Sequence, residues 1–155
     1  PSAQVFNLEI TRRTVDPGAG AITNARSMAA HWALLANKGT MNGVRLLSEK
    51  QVESFLEKRP NSEAVDKYLG ISVPVSKYGY YLSDETPGMI PIITPDSPIV
   101  WMPGAGSSVG WAELDTGLAV AITHNNMEMG SPPSWPAIAE AVRAVAADMK
   151  DRNEL

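Results

Sequence analysis

The stretch that decides the fold covers residues 99–124 and reads IVWMPGAGSSVGWAELDTGLAVAITH. It contains three apolar runs, which are separated by a Gly/Ser-rich turn at 104–107 and by an Asp-Thr-Gly turn at 115–117. Strands that are joined by such short glycine-containing turns are antiparallel neighbours in a sheet. The stretch therefore predicts an antiparallel meander of about three strands.

A helical pattern precedes the meander. Residues 25–37 carry apolar side chains at helical spacing, and either Thr23 or Asn24 can cap the first turn. Gly39 follows as a left-handed C-cap. These signals predict an amphipathic helix of about three turns.

Two further helices are predicted. Ser48 and Gln51 fit a capping box that begins a helix ending near Lys58. Ser134 can cap a long final helix over about residues 135–150. The apolar stripe of that final helix, which we expect to face the core, consists of Ile138, Val142, Val145 and Met149.

Residues 1–155 are long enough for one domain, or for part of a larger one. Residues 1–20 read as a loose or extended arm, and residues 21–76 are mainly helical. Residues 77–155 begin with β-type alternation and contain the antiparallel strands and the long C-terminal helix. The fold class is therefore α+β, with an antiparallel sheet flanked by helices. The outer edges of so small a sheet need cover.

Composition excludes several kinds of site. The absence of Cys excludes disulfides, thiolate zinc sites and cysteine nucleophiles. A formal net charge of -4 argues against a broad electrostatic surface for nucleic acid, and no apolar run approaches the roughly 18 residues of a spanning helix. The histidines, His31 and His124, do not have metal-ligand spacing. We expect no metal and no cofactor.

Five short motifs occur in a characteristic order. They are NARSMA at 24–29, LANKG at 35–39, GVRLLS at 43–48, WMPGAGSSVGW at 101–111 and GWAELDTGLAV at 110–120. In this order they resemble the C-terminal part of the serine β-lactamase-like superfamily, in its branch of class C β-lactamases, penicillin-binding proteins and family VIII-type esterases. The resemblance implies a β-lactamase/transpeptidase-like fold and hydrolysis of an ester, amide or lactam through an acyl-serine intermediate.

The sequence departs from that family at its catalytic motifs. The family's nucleophile is the Ser of a Ser-x-x-Lys motif, and no Ser in this chain has a Lys three residues later. The family's third motif has Lys or His, a variable residue and Gly, where this chain has Met102, Pro103 and Gly104. Met102 can neither donate a charged hydrogen bond nor transfer a proton. Tyr81 and Ser83 match the family's Tyr-x-Ser base motif by letters only, because they lie in a strand-like segment.

The resemblance assigns roles to the glycine-rich residues 102–107, which we call the ribbon. The amide that follows the third motif's glycine is an oxyanion donor in the family, which implies the backbone N–H of Ala105 here, and Met102 takes the position of the family's Lys or His. The substrate-side positions are Pro103, Gly104, Gly106 and Asn125. From the residues alone, a tight glycine-rich β-turn and an Asx turn at Asn125 explain the same letters.

Two functions therefore stay open. In the first, the chain is the C-terminal part of a serine hydrolase and is inactive by itself, because an upstream N-terminal segment carries the nucleophile. A second copy of the chain is the other partner that could cover the open strand edge. In the second, the chain is a non-catalytic binding or assembly module, or a degenerate member of the family in which Met102 indicates that catalytic activity has been lost.

Two other chemistries match less well. Residues 106–110 fit G-x-S-x-G, but a nucleophile elbow needs a helix after the Ser, and another hairpin pattern follows here. The amine of Pro1 could act as a general base, as in small tautomerases, but the chain lacks the βαβ pattern of such folds.

Overall fold

The computed structural model describes residues 3–67, 70, 72–73, 75–82, 98–104, 106–127 and 132–152, and the structural statements below concern these residues. The helices are α1 (Ala3–Asn7), α2 (Glu9–Arg13), α3 (Ala25–Ala36), α4 (Glu49–Glu53) and α5 (Ser134–Asp151), with a 3-10 helix at Ser54–Leu56. The strands are β1 (Thr40–Met41), β2 (Val44–Arg45), β3 (Tyr81–Leu82), β4 (Ile99–Pro103), β5 (Val109–Glu113) and β6 (Ala119–Ile122). Within the described ranges, no helix is both long and apolar enough to cross a membrane.

The larger sheet is antiparallel and has the order β3-β4-β5-β6. The pairing of β4 with β5 extends from Ile99 opposite Glu113 to Pro103 opposite Val109. The three predicted strands are thus confirmed, and the α+β class with them. The short strand β3 is a fourth member, and residues 77–79, which were expected to begin a strand, form a turn.

Strand residues alternate between two faces of the larger sheet, and each face is covered by a helix. The α5 face contains Ile99, Trp101, Val109, Trp111, Val120, Trp135 and Ala139. The α3 face contains Trp32, Leu35, Ala36, Phe55, Leu82, Val100 and Ala112. Strand β5 is buried along its whole length, because both helices pack across it.

Helix α3 has the predicted ends. The Asn24 side chain accepts a hydrogen bond from the backbone N–H of Ser27 at 3.0 Å, so Asn24 and not Thr23 is the cap. Gly39 has a φ of 86°, and its N–H donates to Leu34 O at 2.7 Å. The C-terminal turn therefore needs a residue that tolerates left-handed backbone.

Helix α3 lies directly on the backbone of β5 at Gly110. A Cβ atom at this position would overlap the indole of Trp32, which is only 5% exposed. A glycine is needed here because helix and strand approach more closely than any side chain permits. Since Gly110 pairs with Met102 of β4, this contact fixes α3 beside the ribbon.

The described part of the predicted N-terminal arm is helical and not extended, because it contains α1 and α2. Local interactions hold α2: Glu9 and Arg13 form an ion pair at 2.7 Å, and the Thr14 hydroxyl donates to Ile10 O at 2.7 Å. Helix α2 has no buried apolar stripe from which it could be predicted, because none of its residues is buried.

Helix α4 begins as predicted and ends earlier. The Ser48 hydroxyl accepts a hydrogen bond from the Gln51 N–H at 3.1 Å, which confirms the cap. The α-helix ends at Glu53 and not near Lys58. The Ser54 hydroxyl donates to Gln51 O at 2.6 Å, and this local bond accompanies the change to 3-10 geometry.

The predictions for α5 are partly wrong. The helix starts at Ser134, so Pro133 holds the N-cap position and no side chain caps the helix. Its buried residues are Trp135 and Ala139, with Val142 packed against them. Of the rest of the predicted stripe, Ile138 is 38% exposed, Val145 is 58% exposed and Met149 is half-buried. The buried contact of α5 with the sheet therefore lies toward the start of the helix.

Candidate functional site

The β4–β5 hairpin closes in a tightly bonded turn. The Gly104 N–H donates to Ser108 O at 2.7 Å, and the Ser107 N–H donates to Gly104 O at 3.0 Å. Ser107 is fully buried and has a φ of 65°, which a non-glycine residue adopts only when its surroundings hold it there. Gly104, in contrast, is exposed. The turn is therefore fixed on its inner side and open at Gly104.

The hydrogen bonds of the hairpin limit which amides a ligand could use. The Gly104 N–H is already bonded to Ser108, and Pro103 has no N–H. Neither residue can donate a backbone hydrogen bond to a substrate. The predicted donor, Ala105, lies outside the described residues.

Met102 lies on the α3 face of the sheet, two residues after buried Val100. It is 38% exposed and sits opposite Gly110, above which the Trp32 ring packs. A thioether carries no proton and accepts hydrogen bonds only weakly. The position that the resemblance gives to a Lys or His is thus occupied by a partly exposed apolar group.

The loop after β6 lies at the same end of the sheet as the hairpin turn. Val109, at the start of β5, pairs with Ile122, at the end of β6, so the chain leaves β6 beside the turn. A Cβ atom at Gly106 would lie 3.1 Å from Met127 Cγ, which shows that the loop packs against the turn. Asn125 is exposed in this loop. The described candidate residues therefore lie at the same end of the sheet: Met102, Pro103, Gly104, Gly106 and Asn125.

Met127 is a neighbour of the ribbon that the sequence pattern did not indicate. It is 39% exposed and packs against Gly106 of the β4–β5 turn. The sequence signal for this contact is Gly106 itself, because a glycine that does not need a positive φ often marks a close approach by another group. The approaching residue itself leaves no periodic mark in a loop.

Tyr81 has a structural environment. Its ring packs against Trp101 with the centroids 4.6 Å apart. Burial raises the pKa of Tyr81, and the charge of Asp66 raises it further, whereas a tyrosinate base needs a lowered value. Ser83 lies outside the described residues. Tyr81 therefore matches the family's base motif in sequence but does not have the environment of a base.

The remaining alternatives lack the required geometry. Strand β5, and not a helix, follows Ser108, so the G-x-S-x-G letters do not form a nucleophile elbow. His31 and His124 are both exposed. In the part of the chain that the structure describes, no three His, Asp or Glu side chains form a group that could hold a metal ion. Pro1 lies outside the described residues.

Known proteins include one with a related sequence and one with a similar fold. No family model matches the chain. The chain is 26% identical over 144 residues to the esterase/beta-lactamase LipL of Mycobacterium tuberculosis, an alignment that covers 88% of this chain and 30% of LipL. The crystal structure of a family VIII carboxylesterase matches with a TM-score of 0.76 and 24% identity, over 93% of this chain and 37% of that one.

These matches cover nearly all of the chain and about a third of each relative. The resemblance that the ordered motifs predicted is thereby confirmed. The chain is related to the β-lactamase-like superfamily and has the fold of its C-terminal part.

Proposed function

We propose that this chain forms one wall of the reaction cleft of a serine hydrolase, and that another part of the polypeptide supplies the nucleophile. The main support is the open, glycine-lined turn at the end of β4, beside the loop that carries Asn125. The same fold occurs in a family VIII carboxylesterase, and the related LipL is called an esterase/beta-lactamase. The proposed substrates are esters, amides or lactams.

The reaction is acyl transfer to serine followed by hydrolysis. The serine oxygen attacks the carbonyl carbon, its proton passes to a base, and the carbonyl oxygen becomes an oxyanion. The tetrahedral intermediate collapses and expels the alcohol or amine, which takes up the proton. Water then repeats the attack and releases the acid and the free serine.

The contribution of this chain is a backbone donor to the oxyanion. We assign it to the Ala105 N–H, because the resemblance implies an oxyanion donor at the residue that follows the third motif's glycine. The neighbouring Gly104 N–H is bonded within the hairpin, and Pro103 has none. Gly104 is exposed and leaves room for a carbonyl group to approach the backbone, whereas Met127 packs against Gly106. One preorganised donor of this kind contributes about 3 kcal/mol in the transition state.

The other ribbon residues have passive roles in this proposal. Met102 provides an apolar surface and no proton, so every proton transfer has to involve groups outside the ribbon. The Asn125 carboxamide can both donate to and accept from a polar substrate group. The 155-residue chain alone is expected to be inactive, since it has no Ser-x-x-Lys motif.

The test uses the full product of the reading frame that contains this chain. Wild-type protein should hydrolyse p-nitrophenyl butyrate and be labelled by a fluorophosphonate. Ala105→Pro removes the proposed donor and should lower kcat by about 100-fold or more. Ala105→Gly keeps the N–H and is the matched control, with kcat within about threefold of wild type.

The competing proposal is a non-catalytic module, and Met102 is the observation that favours it. Absence of both turnover and labelling in the full product would support that module and overturn the hydrolase. Equal kcat for Ala105→Pro and Ala105→Gly, with both variants folded by circular dichroism, would keep the hydrolase and remove the assignment of the donor.

A further inference from the structure

Met102 has an aromatic neighbour on each side along the sheet, and the first is Trp32. Met102 pairs with Gly110 across β4 and β5, and the Trp32 indole packs on that glycine. Because Gly110 has no side chain, the indole takes the space beside Met102 that a side chain at this position would fill. The ring is only 5% exposed, so it is held in place.

The second neighbour is Tyr80, on the other side of β4. Tyr81 pairs with Trp101, and one step along this antiparallel register places Tyr80 opposite Met102. The Tyr80 N–H donates to the Ser76 hydroxyl at 3.1 Å, and the Tyr80 carbonyl accepts from the Ser76 N–H at 2.7 Å. These bonds direct the Tyr80 backbone away from β4. In such a non-hydrogen-bonded pair the two side chains lie close together.

Trp32, Met102 and Tyr80 form an uncharged surface, which we call the Met102 wall. The Trp32 and Tyr80 rings contact each other edge-on, with their centroids 5.7 Å apart. Burial raises the pKa of Tyr80 above the usual 10.0, so its phenol is neutral around pH 7. Met102, at 38% exposed, is the most open of the three side chains. A ligand therefore reaches the Met102 wall first at the thioether.

The residues near the Met102 wall add no fixed positive charge. Residues 102–108 read MPGAGSS and contain no ionisable side chain. A second thioether, that of Met127, is 39% exposed at the same end of the sheet. Among residues 123–127 the one ionisable side chain is that of His124, which is exposed. These two stretches include no Lys or Arg that could hold a carboxylate.

An ionised substrate group is unfavourable beside such a surface. A carboxylate that leaves water for an apolar environment loses its hydration, and only a paired charge or several hydrogen-bond donors offset the loss. A thioether has no N–H or O–H to donate. An apolar substrate group, in contrast, is stabilised by contact with the thioether and the aromatic rings.

We propose that Met102 is a specificity-determining residue of the cleft. It selects substrates that present an uncharged, apolar group to the Met102 wall, and it disfavours substrates that carry a carboxylate there. The preferred substrates are therefore neutral esters. This inference rests on the proposed function, because it concerns the substrate of the same cleft.

The test compares substrates that differ only in charge, on the full product of the reading frame that contains this chain. In the acyl pair, p-nitrophenol is esterified with adipic acid whose other end is a methyl ester or a free carboxylate. In the alcohol pair, butyrate is esterified with p-hydroxyphenylacetic acid or with its methyl ester. Assays at about pH 8 keep histidine side chains uncharged. In the pair whose variable group meets Met102, the neutral member should have a kcat/KM at least about 100-fold higher.

The variants change the charge at Met102 and leave the substrates as internal references. Met102→Lys supplies a cation and should shift the ratio of kcat/KM toward the carboxylate by at least about tenfold, an effect that added salt weakens. Met102→Glu should shift the ratio in the opposite direction, so the test does not depend on the folding of one variant. Met102→Leu keeps an apolar group and should leave the ratio within about threefold of wild type. Ile138→Lys is the matched control, because Ile138 is also 38% exposed but lies on α5, which covers the other face of the sheet.

The outcomes separate this inference from the proposed function. A shift with Met102→Lys in either pair supports the inference, and the pair that responds shows which part of the substrate meets Met102. Equal ratios for Met102→Lys, Met102→Leu and Ile138→Lys in both pairs of an active enzyme would overturn the inference and leave the proposed function in place. A wild-type enzyme that hydrolyses both members of each pair equally would do the same. No turnover of any substrate would reject the proposed function and the inference together.

Discussion

Gly110→Ala should destabilise the protein at the contact between α3 and the ribbon. The added Cβ would overlap three atoms of the Trp32 indole, including Nε1. Trp32 is 5% exposed, so the ring has no free space to move into. Helix α3 or strand β5 must therefore shift.

The size of the effect follows from two opposing contributions. Overpacking by one methyl group in a close-packed core costs about 1–3 kcal/mol. The alanine also reduces the conformational freedom of the unfolded chain, which stabilises the folded state by about 0.4–1 kcal/mol. Because three ring atoms overlap, we expect the upper part of the resulting range, a net decrease of about 1–2.5 kcal/mol in the free energy of unfolding, or roughly 3–7 °C in Tm for a domain of this size.

The assay is urea unfolding followed by tryptophan fluorescence, with a double-mutant cycle. Gly18→Ala is the matched control, because its Cβ would meet only Asp16 Oδ1 at 3.5 Å and the backbone there is unstrained. In a Trp32→Leu background the overlap is relieved, so Gly110→Ala should cost about 1 kcal/mol less than in wild type. A cost below about 0.5 kcal/mol in wild type, or full additivity with Trp32→Leu, would refute the steric explanation.

The other two predictions concern ionisable groups. Glu113→Gln removes the charged partner of the largely buried Arg143 and should lower the free energy of unfolding in urea by about 3 kcal/mol. Glu49→Gln, in the exposed pair with Arg45, is the control and should cost under about 0.5 kcal/mol. Similar costs for the two variants would contradict this reasoning. Burial raises the pKa of Tyr80 and Tyr81 above the usual 10.0, so the unfolded chain loses these protons first and stability should fall above that pH. Tyr80→Phe should reduce the fall, and an unchanged pH profile of unfolding would argue against it.

The elements with local signals were predictable from the sequence. The cap at Asn24 and the left-handed Gly39 each depend on bonds within a few residues, and both are present. The strands of the 99–124 meander are likewise joined by short turns whose residues are recognisable. Such features can be predicted because their determining contacts are close together in the chain.

The elements that depend on distant contacts were not predictable in the same way. The side of α5 that is buried depends on how Trp135 meets the sheet, and the periodic pattern alone placed Val145 inward. The bond from Arg143 to Glu113 joins residues thirty positions apart and has no motif. The resemblance assigned site positions to Met102 and Asn125, but the contact of Met127 with Gly106 depends on the path of a loop.

The alternation of β4 has a consequence for how relatives of this protein can diverge. Trp101 faces the α5 side and Met102 faces the α3 side, so a one-residue length change in the strand would exchange the two. A buried indole would then face the α3 side, and a thioether would replace it on the α5 side. Replacement of Met102 alone changes one partly exposed group and leaves every other side chain in place. The fold should therefore tolerate a change of the amino acid at this position, while insertions and deletions between Ile99 and Gly104 should be selected against.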